Sequence, residues 1–200
     1  MLFKQTEPAD IALPQAEIQL WETPTLPDSA EALFTALHEQ TQWQEEDIVV
    51  YGRRYKQPRL LAWHGDPGTT YVYSGVRHEP KPWTSLLLEL RRTIEALVGH
   101  SFNSVLLNLY RDNQDSMGMH ADDEPELGPE PVIASLSLGE TRTFRLKHKR
   151  DRSIPLAKIP MPSGSLLVMS GATQQNWKHG IAKERATCGP RINLTFRKIY

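Results

Sequence analysis

The chain has 200 residues, 39% hydrophobic and 24% charged, with a formal net charge of −1, which suits one domain with a substantial core and leaves nucleic-acid binding to local patches. No run approaches the roughly 20 apolar residues of a membrane span, and the first residues lack a secretory signal's basic and apolar segments. One cysteine, Cys188, excludes a disulfide framework and a cysteine zinc site and points to a reducing compartment.

Residues 1–27 carry several prolines and read as an irregular arm, with 18–21 as its one strand-like piece. Asp28 or Ser29 can cap a helix over 29–40, with Leu33, Phe34 and Leu37 on one face. An acidic lead-in, Glu45 to Asp47, runs into a strand at 48–51. Gly52, Arg53 and Arg54 read as a hairpin turn and 58–63 as the returning strand. Asp66-Pro67-Gly68 marks another turn before a strand at 70–73. The strongest helix signal covers 83–98, with Gly99 as its stop. Strand signals then follow at 104–110, 132–138, 142–147, 164–169 and 191–197. Short strands without intervening helices predict an antiparallel sandwich or barrel with two helices packed outside it.

Between the strand at 104–110 and a string of acids lies His120-Ala121-Asp122. Two histidines and one carboxylate can hold a redox metal while leaving coordination positions open. A histidine two residues before an acid is weak by itself: seven histidines and 24 acids in this chain leave roughly one such triplet to chance. A second one exists, His64-Gly65-Asp66, but Asp66 has a ready turn role, so it reads as a decoy. A third ligand for the first triplet is available downstream in His179; taken alone, that histidine reads as a surface or core-edge residue.

The last strand supplies the missing context. Side chains alternate faces along a strand, so Ile192, Leu194 and Phe196 point one way and Arg191, Asn193, Thr195 and Arg197 the other. Asn108 and Tyr110 likewise oppose Leu107 and Leu109. Two strands with mixed polar faces predict a polar lumen, where an arginine is suited to gripping a carboxylate through two hydrogen bonds. A small dicarboxylate or keto acid that also binds the metal would meet that requirement.

Taken together, Asn108-x-Tyr110, His120-x-Asp122, distal His179 and Arg191-x-Asn193-x-Thr195-Phe196-Arg197 resemble, in order, the AlkB family of Fe(II)- and 2-oxoglutarate-dependent dealkylating dioxygenases. The likeness covers about 48–200. Pro58-Arg59, Tyr71-x-Tyr73-Ser74-Gly75, Asp122-Asp123-Glu124, the run from Ile133 to Ser137 and Gly171-Ala172-Thr173 are similar to its base-repairing branch.

The resemblance implies an α+β, mainly β fold: a double-stranded β-helix (jelly-roll) core over about 101–200, with flanking helices and an N-terminal β extension over about 1–100 forming a nucleotide-recognition lid, all in one catalytic domain. It implies that His120, Asp122 and His179 hold Fe(II), and that Asn108, Tyr110, Arg191, Asn193 and Arg197 surround 2-oxoglutarate, Arg197 lying toward Asp122 and the metal. With O2, the products would be succinate, CO2 and formaldehyde from bases such as 1-methyladenine and 3-methylcytosine, in DNA or RNA. Such a base must leave the stack. Tyr71, Tyr73, Asp123, Glu124 and Arg59 match substrate positions, and Tyr51 matches a hairpin that some relatives push into the duplex. A monomer is expected, cytoplasmic in a bacterium or nuclear in a eukaryote, with no membrane partner.

Two basic runs could meet phosphates: Arg142, Arg145, Lys147, Lys149, Arg150 and Arg152, and Arg53, Arg54, Lys56 and Arg59. Two other readings remain open. One is the same chemistry on a protein or small molecule; the other is a nucleic-acid-binding β domain with an inert metal motif, which needs neither the ligand set nor the arginines.

Overall fold

In the computed structural model, residues 7–50, 52–69, 71–73 and 76–200 are described, with the backbone alone for 49–50, 71–73 and 76–78. The elements run β1 (Ala9–Asp10), β2 (Glu17–Trp21), α1 (Ala30–Gln40), β3 (Asp47–Val50), β4 (Arg53–Lys56), β5 (Leu60–Gly65), β6 (Tyr71–Tyr73), β7 (Val76–His78), α2 (Ser85–Val98), β8 (Ser104–Tyr110), β9 (Met117–His120), β10 (Ile133–Gly139), β11 (Arg142–His148), β12 (Ala157–Met161), β13 (Leu166–Ser170), α3 (Thr173–Asn176), β14 (Trp177–Ile181) and β15 (Arg191–Arg197).

A seven-stranded sheet, in the order β1-β2-β13-β10-β15-β8-β5, packs on a four-stranded one, β12-β11-β14-β9, while β3-β4 and β6-β7 form two separate hairpins. Every ladder is antiparallel. This is the expected jelly-roll, and its larger sheet draws β1, β2 and β5 from the N-terminal half of the chain.

Alternation accounts for the layering. One face of β8 and β15 sends Leu107, Leu109, Ile192, Leu194 and Phe196 into a core shared with Leu33 and Leu37 of α1 and Leu87, Leu90 and Ile94 of α2. Burying each of these side chains contributes about 1.5–3 kcal/mol. A second core fills the space between the sheets, where Ile18, Leu167 and Met169 meet Phe144, Leu146, Trp177 and Ile181. The polar faces of β8 and β15 look into that same intersheet space.

Side-chain caps open α1 and α2, at Ser29 as expected and at Thr84, which was not anticipated. The Ser29 hydroxyl accepts from Ala32 N at 3.1 Å, and Thr84 accepts from Leu87 N at 3.2 Å. Gly99 ends α2 with φ +69°, a left-handed conformation that glycine adopts without strain.

The first hairpin corrects the expected register. The strand returning from β3 is β4, pairing Ile48 with Tyr55 and Val49 with Arg54; the chain from Leu60 onward belongs instead to the large sheet, beside β8. All four residues of β4 are exposed, so it carries no alternation to read. Five short strands were also not anticipated: β1, β7, β9, β12 and β14. Pro160 in β12 is tolerated because that strand lies at a sheet edge.

Candidate active site

β9 and β14 bring two histidines face to face. His120 and His179 are register partners in that ladder, which shifts register between His179 and Ile181, and their ring centroids lie 4.3 Å apart. Gly180 makes the approach practicable. A Cβ there would fall 2.8 Å from the Met117 carbonyl oxygen and 2.9 Å from that of Gly118, closer than real side chains come.

Asp122, just beyond β9, closes the triangle, and the three candidate donor atoms all lie within 4.8 Å of one another. Among the described residues no other cluster of this kind exists. Asp122 Oδ1 is 3.9 Å from His120 Nε2, and its Oδ2 is 3.8 Å from His179 Nε2.

Protonation suits a metal. His120 Nδ1 lies 2.9 Å from the Gly118 carbonyl, which can only accept, so Nδ1 carries the proton and Nε2 keeps its lone pair. Burial pushes His179 down to about 3, keeping it neutral, and its ring stacks on Phe144 at 5.3 Å between centroids. Burial alone would raise the Asp122 carboxyl, but Arg197 foremost, with the two imidazoles, holds it at about 2. The Arg197 guanidinium is 2.9 Å from each Asp122 oxygen, and the Gln174 amide oxygen accepts from Asp122 N at 3.0 Å.

An inner chamber opens from this cluster between the sheets, lined by Asn108, Tyr110, Arg191, Asn193, Thr195 and Arg197 together with the two histidines. Arg191, 1% exposed, donates from Nη2 to Ser137 Oγ at 2.7 Å. Its Nε and Nη1 are buried without a hydrogen-bond partner. Burial draws the guanidinium down to about 10, still cationic at neutral pH. A buried cation with unused donors is costly alone, and an anionic ligand would offset that cost. Asn193 instead bonds within the protein, donating to Ser135 Oγ at 2.7 Å and accepting from Thr195 Oγ1 at 3.0 Å.

An outer cavity of about 250 Å³ reaches the same cluster, lined by Gln57, Arg59, Trp63, Leu127, His120, Asp122 and Glu124 among others. That is near the lower end of small-ligand pockets, roughly 300–1,000 Å³. Arg59 ties the chambers together by donating from Nε to Asn108 Oδ1 at 2.8 Å.

Two histidines, an ionised carboxylate and a buried arginine with unused donors fit a metal and a carboxylate ligand. Residues 20–197 match the family described as the 2OG-Fe(II) oxygenase superfamily. The chain belongs to that superfamily. Within it the chain is of AlkB type. It is 45% identical over 179 residues to alpha-ketoglutarate-dependent dioxygenase alkB homolog 3 of Bos taurus, covering 86% of this chain and 62% of that protein. It is 40% identical over 158 residues to DNA oxidative demethylase ALKBH2 of Homo sapiens, covering 76% of this chain and 60% of the relative. The chain thus spans about three fifths of these relatives' length. The solved structure of OsALKBH1 superposes with a TM-score of 0.60 at 17% identity, over 94% of this chain and 98% of that one, a likeness of fold. The superfamily's name specifies the metal and the co-substrate, and the donor set here fits both.

The oxygenase cluster unites His120, Asp122, His179 and Arg197, while His64 and Asp66 serve the fold. His64 Nδ1 is 2.7 Å from the Pro82 carbonyl, and Asp66 accepts from Trp83 Nε1 and Arg91, each at 2.8 Å. Of the expected substrate positions, Arg59 and Glu124 line the outer cavity, whereas Asp123 is ion-paired with Lys149 at 2.7 Å and does not line it. Tyr51 lies outside the described residues. Tyr71 and Tyr73 lie in β6, with their side chains outside the description.

The basic runs need correction. Arg142 is 1% exposed and donates to the carbonyls of Asp112, Asp115 and Ala182 at 3.1, 3.0 and 2.7 Å, so it locks loops together. Lys56 is paired with Glu45 and Asp47, and Arg59 is buried. What remains is the exposed Arg53, Arg54, Arg150 and Arg152 and the outer face of the small sheet, where Arg145 lies opposite Lys158 and Lys147 opposite Lys178. Sequence reasoning missed Gly118, Ser137, Phe144 and Gln174 as supports. The alternation of Ser135 and Ser137 along β10 would have exposed one of them.

Proposed function

We propose that this chain is the catalytic domain of an Fe(II)- and 2-oxoglutarate-dependent dioxygenase that removes methyl groups from ring nitrogens of bases in DNA or RNA, acting as a monomer. The observation that carries the reading is the meeting of two chambers at His120, Asp122 and His179: one ends on a buried arginine with unused donors, and the other has room for a small ring.

In this reading His120 Nε2, His179 Nε2 and Asp122 hold the iron, Arg191 grips the far carboxylate of 2-oxoglutarate, and Asn108 and Tyr110 border it. Iron held there would supply O2 activation, with one oxygen atom going to a substrate C–H bond and the other into succinate as 2-oxoglutarate loses CO2; the hydroxymethyl group left on nitrogen would depart as formaldehyde. The protein's share is positional. Arg197 keeps Asp122 ionised and aimed, Gly118 keeps the His120 lone pair free, and Leu106, Met117 and Leu127 give the outer cavity apolar walls that exclude water. The β3-β4 and β6-β7 hairpins, the latter carrying Tyr71 and Tyr73, act as the lid over the nucleotide.

A target atom on a base's pairing edge requires an extruded base, which the outer cavity suits. Like charges placed opposite one another in a sheet repel, so Arg145, Lys147, Lys158 and Lys178 favour a polyanion near that face. One relative's name, a DNA oxidative demethylase, supports the same substrate class, and the other's, an alpha-ketoglutarate-dependent dioxygenase, the same chemistry. The test is succinate release with Fe(II) and 2-oxoglutarate in three arms: a 1-methyladenine oligonucleotide, its unmethylated twin and a methyl-lysine peptide. Stimulation by the first alone is expected; stimulation by the peptide alone contradicts the reading.

A further inference from the structure

Four side-chain amides are buried among the described residues: Gln57, Asn108, Gln174 and Asn193. Three are engaged. Asn108 accepts from Arg59, Gln174 accepts from Asp122 N and points its nitrogen at Met169 sulfur, and Asn193 bonds to Ser135, Leu136 and Thr195. Gln57 is only 3% exposed, yet its amide has no hydrogen-bond partner among the described residues. It lines the outer cavity alongside Arg59, Trp63, His120 and Glu124.

The backbone around Gln57 is pinned. Its N–H donates to the Glu46 carbonyl at 2.8 Å, and its own carbonyl accepts from Arg59 N at 2.8 Å. The link between β4 and β5 therefore holds this residue at a fixed depth beside the metal cluster. The amide atoms are not sealed from the cavity, and an amide presented to a binding cavity with no protein partner is available to a polar ligand.

We propose that Gln57 is a specificity-determining residue that reads the base held in the outer cavity. The inference rests on the reaction proposed above and deepens it. A carboxamide offers one acceptor and one donor side by side, which matches the adjacent N6 amino group and N7 of adenine, the pairing by which glutamine reads that base in duplex DNA. Methylation at N1 leaves this edge intact. In 3-methylcytosine the amino group is flanked on its open side by C5–H, so only the amide oxygen finds a partner. Gln57 therefore favours the methylated purine over the methylated pyrimidine.

The experiment compares wild type, Gln57→Leu and Gln57→Glu on two single-stranded oligonucleotides that differ only in carrying 1-methyladenine or 3-methylcytosine. One readout is equilibrium binding to the metal-free protein by fluorescence anisotropy; the other is formaldehyde release as kcat/KM. Leucine should weaken both on 1-methyladenine by about tenfold or more and on 3-methylcytosine by about threefold or less, in line with two lost hydrogen bonds against one. Glutamate, which keeps the acceptor and loses the donor to N7, should fall between. Equal losses on the two bases, or none on either, overturn the assignment of Gln57 alone. Wild-type release of formaldehyde from neither oligonucleotide overturns the proposed reaction, and this inference with it.

Discussion

Arg191 stands directly opposite Tyr110 in the β8-β15 ladder, its guanidinium carbon 5.3 Å from the phenol ring centroid. The ring covers one side of the cation, Ser137 takes one nitrogen, and two nitrogens remain without partners. A fold gains little from such an arrangement unless a ligand completes it.

Replacing Arg191 by Met should therefore leave the thermal midpoint of the ligand-free protein no lower than wild type, because an incompletely paired buried charge is removed. Affinity for 2-oxoglutarate, titrated calorimetrically in the presence of Mn(II), should fall by about a hundredfold or more. Arg191→Lys keeps the charge but not the planar fork, and should still lose roughly tenfold.

Gly180 lets β9 approach β14, so Gly180→Ala should separate His120 from His179 while the rest of the sandwich folds. Metal affinity, followed by Co(II) titration, should drop about 10–100-fold, the range seen when groups supporting metal ligands are removed. Unchanged affinity would mean that the close approach does not set the site.

For metal-free protein, acid sensitivity follows from His179. Its folded value of about 3 lies below its ordinary 6.5, so between these pH values the unfolded chain binds more protons. Stability should rise with pH from about 3 to 6.5 and be complete above that window. Asp122, held at about 2 against 3.8, acts in the same direction at lower pH, its contribution being lost as pH falls through that range. Urea midpoints across pH 4 to 7 should climb in wild type and flatten in His179→Gln.

Strands with clear alternation were legible before any coordinates. β8 and β15 run residue for residue as expected, and their polar faces became the inner chamber. The site's other half was much less legible. β9 reads Met-Gly-Met-His and β14 Trp-Lys-His-Gly-Ile, each carrying a glycine that weakens the strand signal, and their pairing depends on a tertiary approach that local propensity does not encode. Charge was the poorest guide. Arg142 and Lys147 occur five residues apart in one basic run, yet one is buried and the other exposed, because the strand's alternation sends them to opposite faces.

That difference makes a separable pair of substitutions. Arg142→Met should cost about 2–4 kcal/mol of unfolding free energy, since three carbonyls lose their donor. Lys147→Gln combined with Lys178→Gln should leave stability within about 0.5 kcal/mol. The double variant should weaken oligonucleotide binding and reduce its dependence on log salt by about 1.5.

The most direct test of the whole account is formaldehyde release from a 1-methyladenine oligonucleotide supplied with Fe(II), 2-oxoglutarate and O2. Wild type and the structural-loop variant Asp66→Ala should both produce formaldehyde and succinate in equal amounts, and Asp122→Ala neither above background. Formaldehyde at the wild-type rate from Asp122→Ala would contradict the assignment of this cluster as the catalytic centre.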